Sequence, residues 1–354
     1  MNTSHRLIWM VISVLCMASP SLAQDVNIKR VSAHVITLNM VDLGYHTNVT
    51  VVESKKGLVC IETEITPTIM SKIKAAAENK LGRKDWAYVI NTHNHMHHAG
   101  GNVLFKEIPI IGPATMNLDW LENRLSTEEG RCRYCKGMGI TNAITQLQQT
   151  LVDPSISPLQ KAKIRRRLEF CRDVEREVLA GFEVVNPTLP VADRYTLDLD
   201  NVHLQLTYWG DGICHSAIFV QVVEDKLLVG NGMGKAWIPD FYGQPNLASL
   251  QRAVKLWKKL ADENFPVDRI VEVHSPELIV GREQFHHRAL YLQTLLTDLT
   301  KAQQQGMTLE QAKKPFALGT RYAPLVEYFT QPDDLEAAHQ KNIEKIWKLL
   351  QDHR

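Results

Sequence analysis

Short runs of alternating apolar and polar residues fill the first third of the chain. They predict strands over 34–38, 47–53 and 58–63, with Ser54-Lys-Lys-Gly57 as a hairpin turn. An apolar period near 3.6 then predicts a helix over 68–80, and 86–91 and 108–111 read as buried strands. From 117 to about 182 the pattern is helical, clearest over 160–180, with a glycine-rich break predicted between 130 and 139. Strands resume over 195–199, 202–208, 216–223 and 226–229, followed by a helix over 247–264 and a strand over 269–273 that ends at His274. Everything from 282 onward reads as helix. Strands and helices repeated in two halves predict an α/β fold, a four-layer αββα sandwich, with 117–182 as a helical insertion and 282–354 as a C-terminal helical region.

The N-terminal segment 1–23 fits none of these elements. Arg6 precedes an apolar run of about a dozen residues, too short to span a bilayer, and Ser21-Leu22-Ala23 supplies small residues for cleavage. A cleaved signal peptide is expected, with a mature chain from 24 to 354 in the periplasm or outside the cell. No later run is long and apolar enough to cross a membrane. With 40 basic and 39 acidic residues the chain lacks the positive excess that nucleic-acid binding requires, and 163–167 is read as a solvated helix face. Of six cysteines, Cys16 lies in the leader. The others are too few for a disulfide scaffold, but Cys132-Arg-Tyr-Cys135 is expected to form a disulfide in an oxidising compartment, or to pair through Cys171. A metal knuckle or a redox pair are the competing readings.

Asn91-Thr-His93-Asn-His95-Met-His97-His98-Ala-Gly-Gly101 concentrates four imidazoles at the end of a predicted strand. Alternate residues of an extended segment face one way, so His93 and His95 can aim at one point while His97 and His98 serve a second. Gly100 and Gly101 are expected to turn the backbone tightly into the next helix. Neutral imidazole suits zinc, copper or iron better than magnesium or calcium. His215, in a glycine-containing loop between two strands, and His274, at a strand end, complete the candidate ligand set. His46, His203, His286 and His287 lack such a context and read as structural.

The segment 92–102 resembles the Thr-His-x-His-x-Asp-His-x-Gly-Gly-Asn signature of the metallo-β-lactamase superfamily, and 51–63, 208–222 and 226–231 resemble its other motifs in order and spacing. The resemblance implies the metallo-β-lactamase type of αββα sandwich. It implies one metal on His93, His95 and His215, and a second on the positions of His97, His98 and His274, with Asn231 at the bridging acidic position. His97 and Asn231 occupy the places of the family's acidic catalytic residues, and Glu62 that of an aspartate behind the ligands. The changes at 97 and 231 remove roughly two negative charges from the centre, so one zinc is expected and the second site is weakened. Lys235 lies one residue beyond the place where some members grip a substrate carboxylate.

These features predict an exported zinc hydrolase in which metal-bound hydroxide attacks a small-molecule lactam, lactone, ester or thioester. The alternative is a non-catalytic metal- or ligand-binding protein on the same fold, motivated by the two lost acidic positions.

Overall fold

The computed structural model describes residues 26–40, 47–208, 217–230, 238–239, 246–274, 279–326 and 335–352. The leader, His46, His215, Asn231 and Lys235 lie outside these residues.

Strands β1 (Val26–Arg30), β2 (Val35–Met40), β3 (Val49–Ser54) and β4 (Gly57–Ile61) form an antiparallel meander. Helix α1 (Pro67–Leu81) carries the chain to β5 (Trp86–Ile90), which runs parallel to β4. Thr66 caps α1 by accepting a hydrogen bond from the Ile69 amide at 3.4 Å, Pro67 opens its first turn, and Gly82 closes it at φ 66°. One turn of helix, α2 (Met96–Ala99), and a 3-10 turn then lead to β6 (Ile110–Pro113).

Four helices follow: α3 (Asp119–Leu125), α4 (Glu128–Gly137), α5 (Ile140–Leu151) and α6 (Pro158–Ala180). β7 (Leu189–Val191) closes the first sheet, in the order β1 to β7. β8 (Arg194–Asp198), β9 (His203–Tyr208), β10 (Ile218–Val222) and β11 (Leu227–Val229) build the second sheet. After α7 (Leu247–Ala261) it is completed by β12 (Arg269–Val271), parallel to β11, and β13 (Ile279–Val280). The chain ends in α8 (Arg282–Gln304), α9 (Leu309–Lys313), α10 (Ala323–Val326) and α11 (Leu335–Gln351).

Period-two alternation sorts the strand residues into layers. Val59 and Ile61 of β4 face Leu204, Val220 and Val229 of the second sheet, while Leu58 and Cys60 pack outward with Ile69 and Ile73 of α1. On the far side, Phe219, Leu228 and Ile270 pack under Leu250 and Trp257 of α7 and Leu292 and Leu295 of α8. The result is the expected αββα sandwich, with helices inserted between β6 and β7 and more helices at the C-terminus. No helix among the described residues is long and apolar enough to cross a membrane.

Two expectations are corrected. Cys132 and Cys135 do not lie in a break: α4 runs through both, capped by Thr127, whose side chain accepts from the Gly130 amide at 3.1 Å. Gly130 is required by packing, since a Cβ there would stand 2.2 Å from the Arg124 carbonyl oxygen. Cys60, Cys132, Cys135 and Cys171 are free thiols, so no disulfide joins α4 to α6. Burial first, with the charge of Glu175 and the neighbouring Cys132 thiol, pushes the Cys135 thiol up to about 11, which makes it a poor nucleophile.

At the turn between β10 and β11 a polar clip joins the sheets. The Asp225 side chain, 3% exposed, accepts from Ser32 Oγ at 2.5 Å and from the His34 amide at 2.9 Å, and its Oδ1 lies 2.8 Å from His34 Nδ1. Burial raises its pKa, but these hydrogen bonds outweigh burial and hold it below the usual aspartate value. A depressed carboxylate stabilises the fold above its unfolded pKa and loses that contribution as pH falls through the folded value. Asp225→Ala is therefore expected to cost about 2 kcal/mol at pH 7. The gap from wild type should shrink toward pH 3 in denaturant melts.

Candidate metal centre

The opposite end of the sandwich gathers the ends of β4, β5, β11 and β12. Glu62 follows β4, His93 follows β5, Gly230 follows β11 and His274 follows β12, so the site sits at the carboxyl ends of parallel-paired strands. His93 is anchored by a bridge to Ala217, by the Ile218 amide donating to the Thr92 carbonyl at 2.9 Å, and by Thr92 Oγ1 lying 2.9 Å from its Nδ1. With Nδ1 engaged, Nε2 is the nitrogen left to face the centre.

The chain reaches His98 through α2, and a buried polar lattice fixes it there. The His98 carbonyl accepts from the Thr63 amide at 2.9 Å, Thr63 Oγ1 at 3.2 Å and Asn91 Nδ2 at 2.8 Å. Asn91 and Asn102 bond each other through both amides, at 3.0 and 2.9 Å, and Thr63 Oγ1 donates to Asn102 Oδ1 at 2.7 Å. Gly100 and Gly101 serve closeness rather than turning. Gly100 has helical angles, φ −62° and ψ −30°, but a Cβ at 100 would stand 2.1 Å from the Ile65 carbonyl oxygen and one at 101 would stand 2.3 Å from that of Thr63.

Ring nitrogens of His93, His97, His98 and His274 all lie within 4.8 Å of one another. His274 Nε2 stands 3.1 Å from His97 Nε2 and 2.7 Å from His98 Nε2. Three Nε2 atoms this close, where at most one proton can sit between each pair, are placed for a cation. Zinc held at about 2.0–2.1 Å by three imidazoles needs only a small spreading of these rings. His95 sits beside the group, its ring centroid 4.7 Å from that of His93 and 5.2 Å from that of His97. His93 and His98 are buried, while His95, His97 and His274 are partly exposed.

Glu62 backs the centre. It is fully buried, its Oε1 accepts from the Thr92 amide at 3.1 Å, and its Oε2 lies 3.1 Å from His98 Nδ1, out of line for a good hydrogen bond. Burial pushes Glu62 up to about 8 against the hydrogen bonds from Thr92, and burial with the surrounding imidazoles pushes His98 well down. His98 is thereby kept neutral, the form that binds metal.

Glu62 and Glu64 adopt left-handed backbone at φ 72° and 60°. That conformation costs about 1–2 kcal/mol for a residue with a side chain. Strain of this kind persists where the surroundings impose it. Here the Glu62 amide donates to Ile90 at 2.9 Å and the Glu64 carbonyl accepts from Gly100 at 3.0 Å.

The structure thus brings together His93, His97, His98 and His274, with His95 alongside, and His215, Asn231 and Lys235 fall outside the described residues. Sequence reasoning named Glu62 and quoted Asn91, Thr92 and Asn102 within the motif, but gave those three no role. The signal for a special loop was present in Glu62-Thr-Glu64, two acidic residues directly after an apolar strand. His203, read as structural, binds Glu224 through Nδ1 at 2.6 Å, away from the centre.

A family model described as the metallo-beta-lactamase superfamily matches residues 43–230, more than half of the 354-residue chain. Among solved structures, the inverting sec-alkylsulfatase Pisa1 from Pseudomonas sp. is similar at 14% identity and TM-score 0.57, over 92% of this chain and 51% of that one. This chain therefore spans about half the length of that sulfatase. The metallo-beta-lactamase FIM-1 from Pseudomonas aeruginosa, in its mono-zinc form, is 13% identical at TM-score 0.46 over 76% of this chain and 95% of that one. No curated protein matches the chain.

Proposed function

The chain belongs to the metallo-beta-lactamase superfamily, and from that premise we propose that it is an exported, zinc-dependent hydrolase of small molecules with an ester, thioester, lactone or lactam bond. The observation that carries this reading is the meeting of His97, His98 and His274 through their Nε2 atoms, beside His93. Imidazole-only donors fit zinc or copper and disfavour hard cations. His93, His95 and His215 would hold one zinc. Ala217, two residues past His215, is bridged to His93, which supports that grouping. His97, His98 and His274 would hold a second.

A zinc ion there would supply Lewis acidity to the reacting carbonyl or ester oxygen and to the attacking water. The chain's own residues do the positioning. Thr92 orients His93, Glu62 backs His98, and the Asn91–Asn102 pair locks the loop that bears them. His97, at the exposed side, presents Nε2 to His274. Lys235 is proposed to bind the substrate, and Asn231 takes the sequence position of the family's bridging acidic residue. The fold shared with a sulfatase and a β-lactamase leaves sulfate esters and β-lactams within the class to be assayed.

A non-catalytic metal-binding protein is the second reading, favoured by the neutral residues at 97 and 231. One experiment separates the two: elemental analysis of purified protein, with zinc-dependent turnover measured on ester, thioester, lactone, β-lactam and sulfate-ester panels. Turnover that chelator abolishes and zinc restores is expected. Bound zinc with no turnover on any panel would leave the second reading, and protein that takes up no zinc would end both.

A further inference from the structure

Asn48 sits immediately before β3, in the first sheet, and is fully buried. Its backbone amide donates to the Val273 carbonyl at 2.9 Å, and its side-chain Nδ2 donates to the Glu272 carbonyl at 2.5 Å. Its Oδ1 accepts from Asn39 Nδ2 of β2 at 2.9 Å, which fixes the amide's orientation. One residue of the first sheet therefore holds the two consecutive carbonyls that precede His274 in the second.

We propose that Asn48 is a positioning residue that aims the His274 imidazole at His97 and His98. Pairing of β12 with β11 ends at Val271, whose carbonyl accepts from the Gly230 amide at 2.8 Å. The described ladder pairs of β12, with β11 and with β13, end at Val271, and beyond it Asn48 holds the carbonyls of Glu272 and Val273. The other side of the segment is wedged: the Glu272 carboxylate lies so close to Gly230 that a Cβ there would stand 2.1 Å from Oε1. Buried Arg288, stacked 4.9 Å above the Trp257 ring, faces Glu272 with its charge. His97 and His98 descend from the first sheet and His274 from the second, so the spacing of their nitrogens depends on a tie between the sheets at this end. Asn48 is such a tie, placed one residue from the ligand. Backbone groups without their partner would let 272–274 rotate, and an error of 1 Å in a ligand nitrogen is large beside a zinc–nitrogen bond of about 2 Å.

The inference rests on the proposed metal centre, and its test is arranged to separate the two. Asn48→Asp keeps the shape but turns a carboxylate oxygen toward the Glu272 carbonyl. Imidazole 15N NMR of the metal-free protein reads His274 directly: Asn48→Asp is expected to shift the His274, His97 and His98 nitrogens together. Competition with a chelator then reads zinc binding, expected to weaken about ten-fold, in the range for residues that orient ligands. Asp225→Ala, at the other end of the sandwich, is the control for general loosening and should leave both readouts within two-fold of wild type. Asn39→Ala, which only frees the Asn48 amide, gives a smaller shift in the same direction should Asn48→Asp fail to fold. Unchanged imidazole signals, or equal effects from Asp225→Ala, would overturn the positioning role. Shifted imidazole signals in a protein whose wild type binds no zinc would keep the positioning role and remove the proposed function.

Discussion

His98→Ala should weaken binding of the zinc proposed for His97, His98 and His274 by at least about 100-fold and destabilise the protein even without metal. Structural zinc sites hold their ion with roughly 10–16 kcal/mol, or about 3 kcal/mol for each of four ligands, and 1.4 kcal/mol is a factor of ten. His98 also differs from its neighbours in burial. Its ring is fully enclosed, with Nε2 2.7 Å from His274 and Nδ1 3.1 Å from the Glu62 carboxylate. Removing it leaves a cavity lined by a buried acid whose burial already holds its proton on to about pH 8. A cavity of this kind costs about 2–4 kcal/mol. The same change at the partly exposed His95 should lower zinc affinity with little loss of stability. Chelator competition gives the affinity, and melts in excess EDTA give the metal-independent part. If His98→Ala retained wild-type affinity, the converging nitrogens would not be the zinc site.

Local features were readable from the chain and distant ones were not. Alternation along 58–61 and the helical period of 68–80 arise from each residue's own neighbours, so β4, α1 and β5 fall where the pattern puts them. The histidine run lies within six residues, and His274 stood out as a histidine closing a buried strand. The edge strands β1 and β7 were missed because each is short and mostly exposed, with little apolar pattern. The glycines around the Cys132–Cys135 pair suggested a break because glycine has two uses. At 130, as at 100 and 101, the use is close packing against a carbonyl oxygen, which depends on residues brought near only by the fold. Asn48 and Asn39 are separated from the His274 segment by more than two hundred residues, and nothing in their local sequence marks the clamp they form.

At position 97 the sequence resemblance implies an acidic residue where this chain has His97, and there the expected effect is a change of metal preference. His97 Nε2 lies 3.1 Å from His274 Nε2 in a group composed wholly of imidazoles. Such a set binds soft and borderline ions well and gives manganese little, because manganese prefers carboxylate and water oxygens. His97→Asp puts one negative charge within a few ångströms of a dication. At about 4 Å and an effective dielectric near 20, a pair of unit charges interacts by about 4 kcal/mol, before desolvation takes back much of it. A net gain of about ten-fold in affinity for the second zinc is therefore expected, along with a fall of at least ten-fold in the ratio of copper to manganese affinity. The ring at 97 is partly exposed, so the substitution opens no buried cavity and the fold should melt within about 1 kcal/mol of wild type. Competition titrations with zinc, copper and manganese on the two proteins measure all of this without a substrate. An unchanged copper-to-manganese ratio would mean that the side chain at 97 does not touch the metal. Turnover adds a second discrimination. If His97→Asp raises it, the imidazole is a weakened form of the family's acid. If affinity rises while turnover falls, the native reaction depends on an imidazole at 97 rather than on a carboxylate.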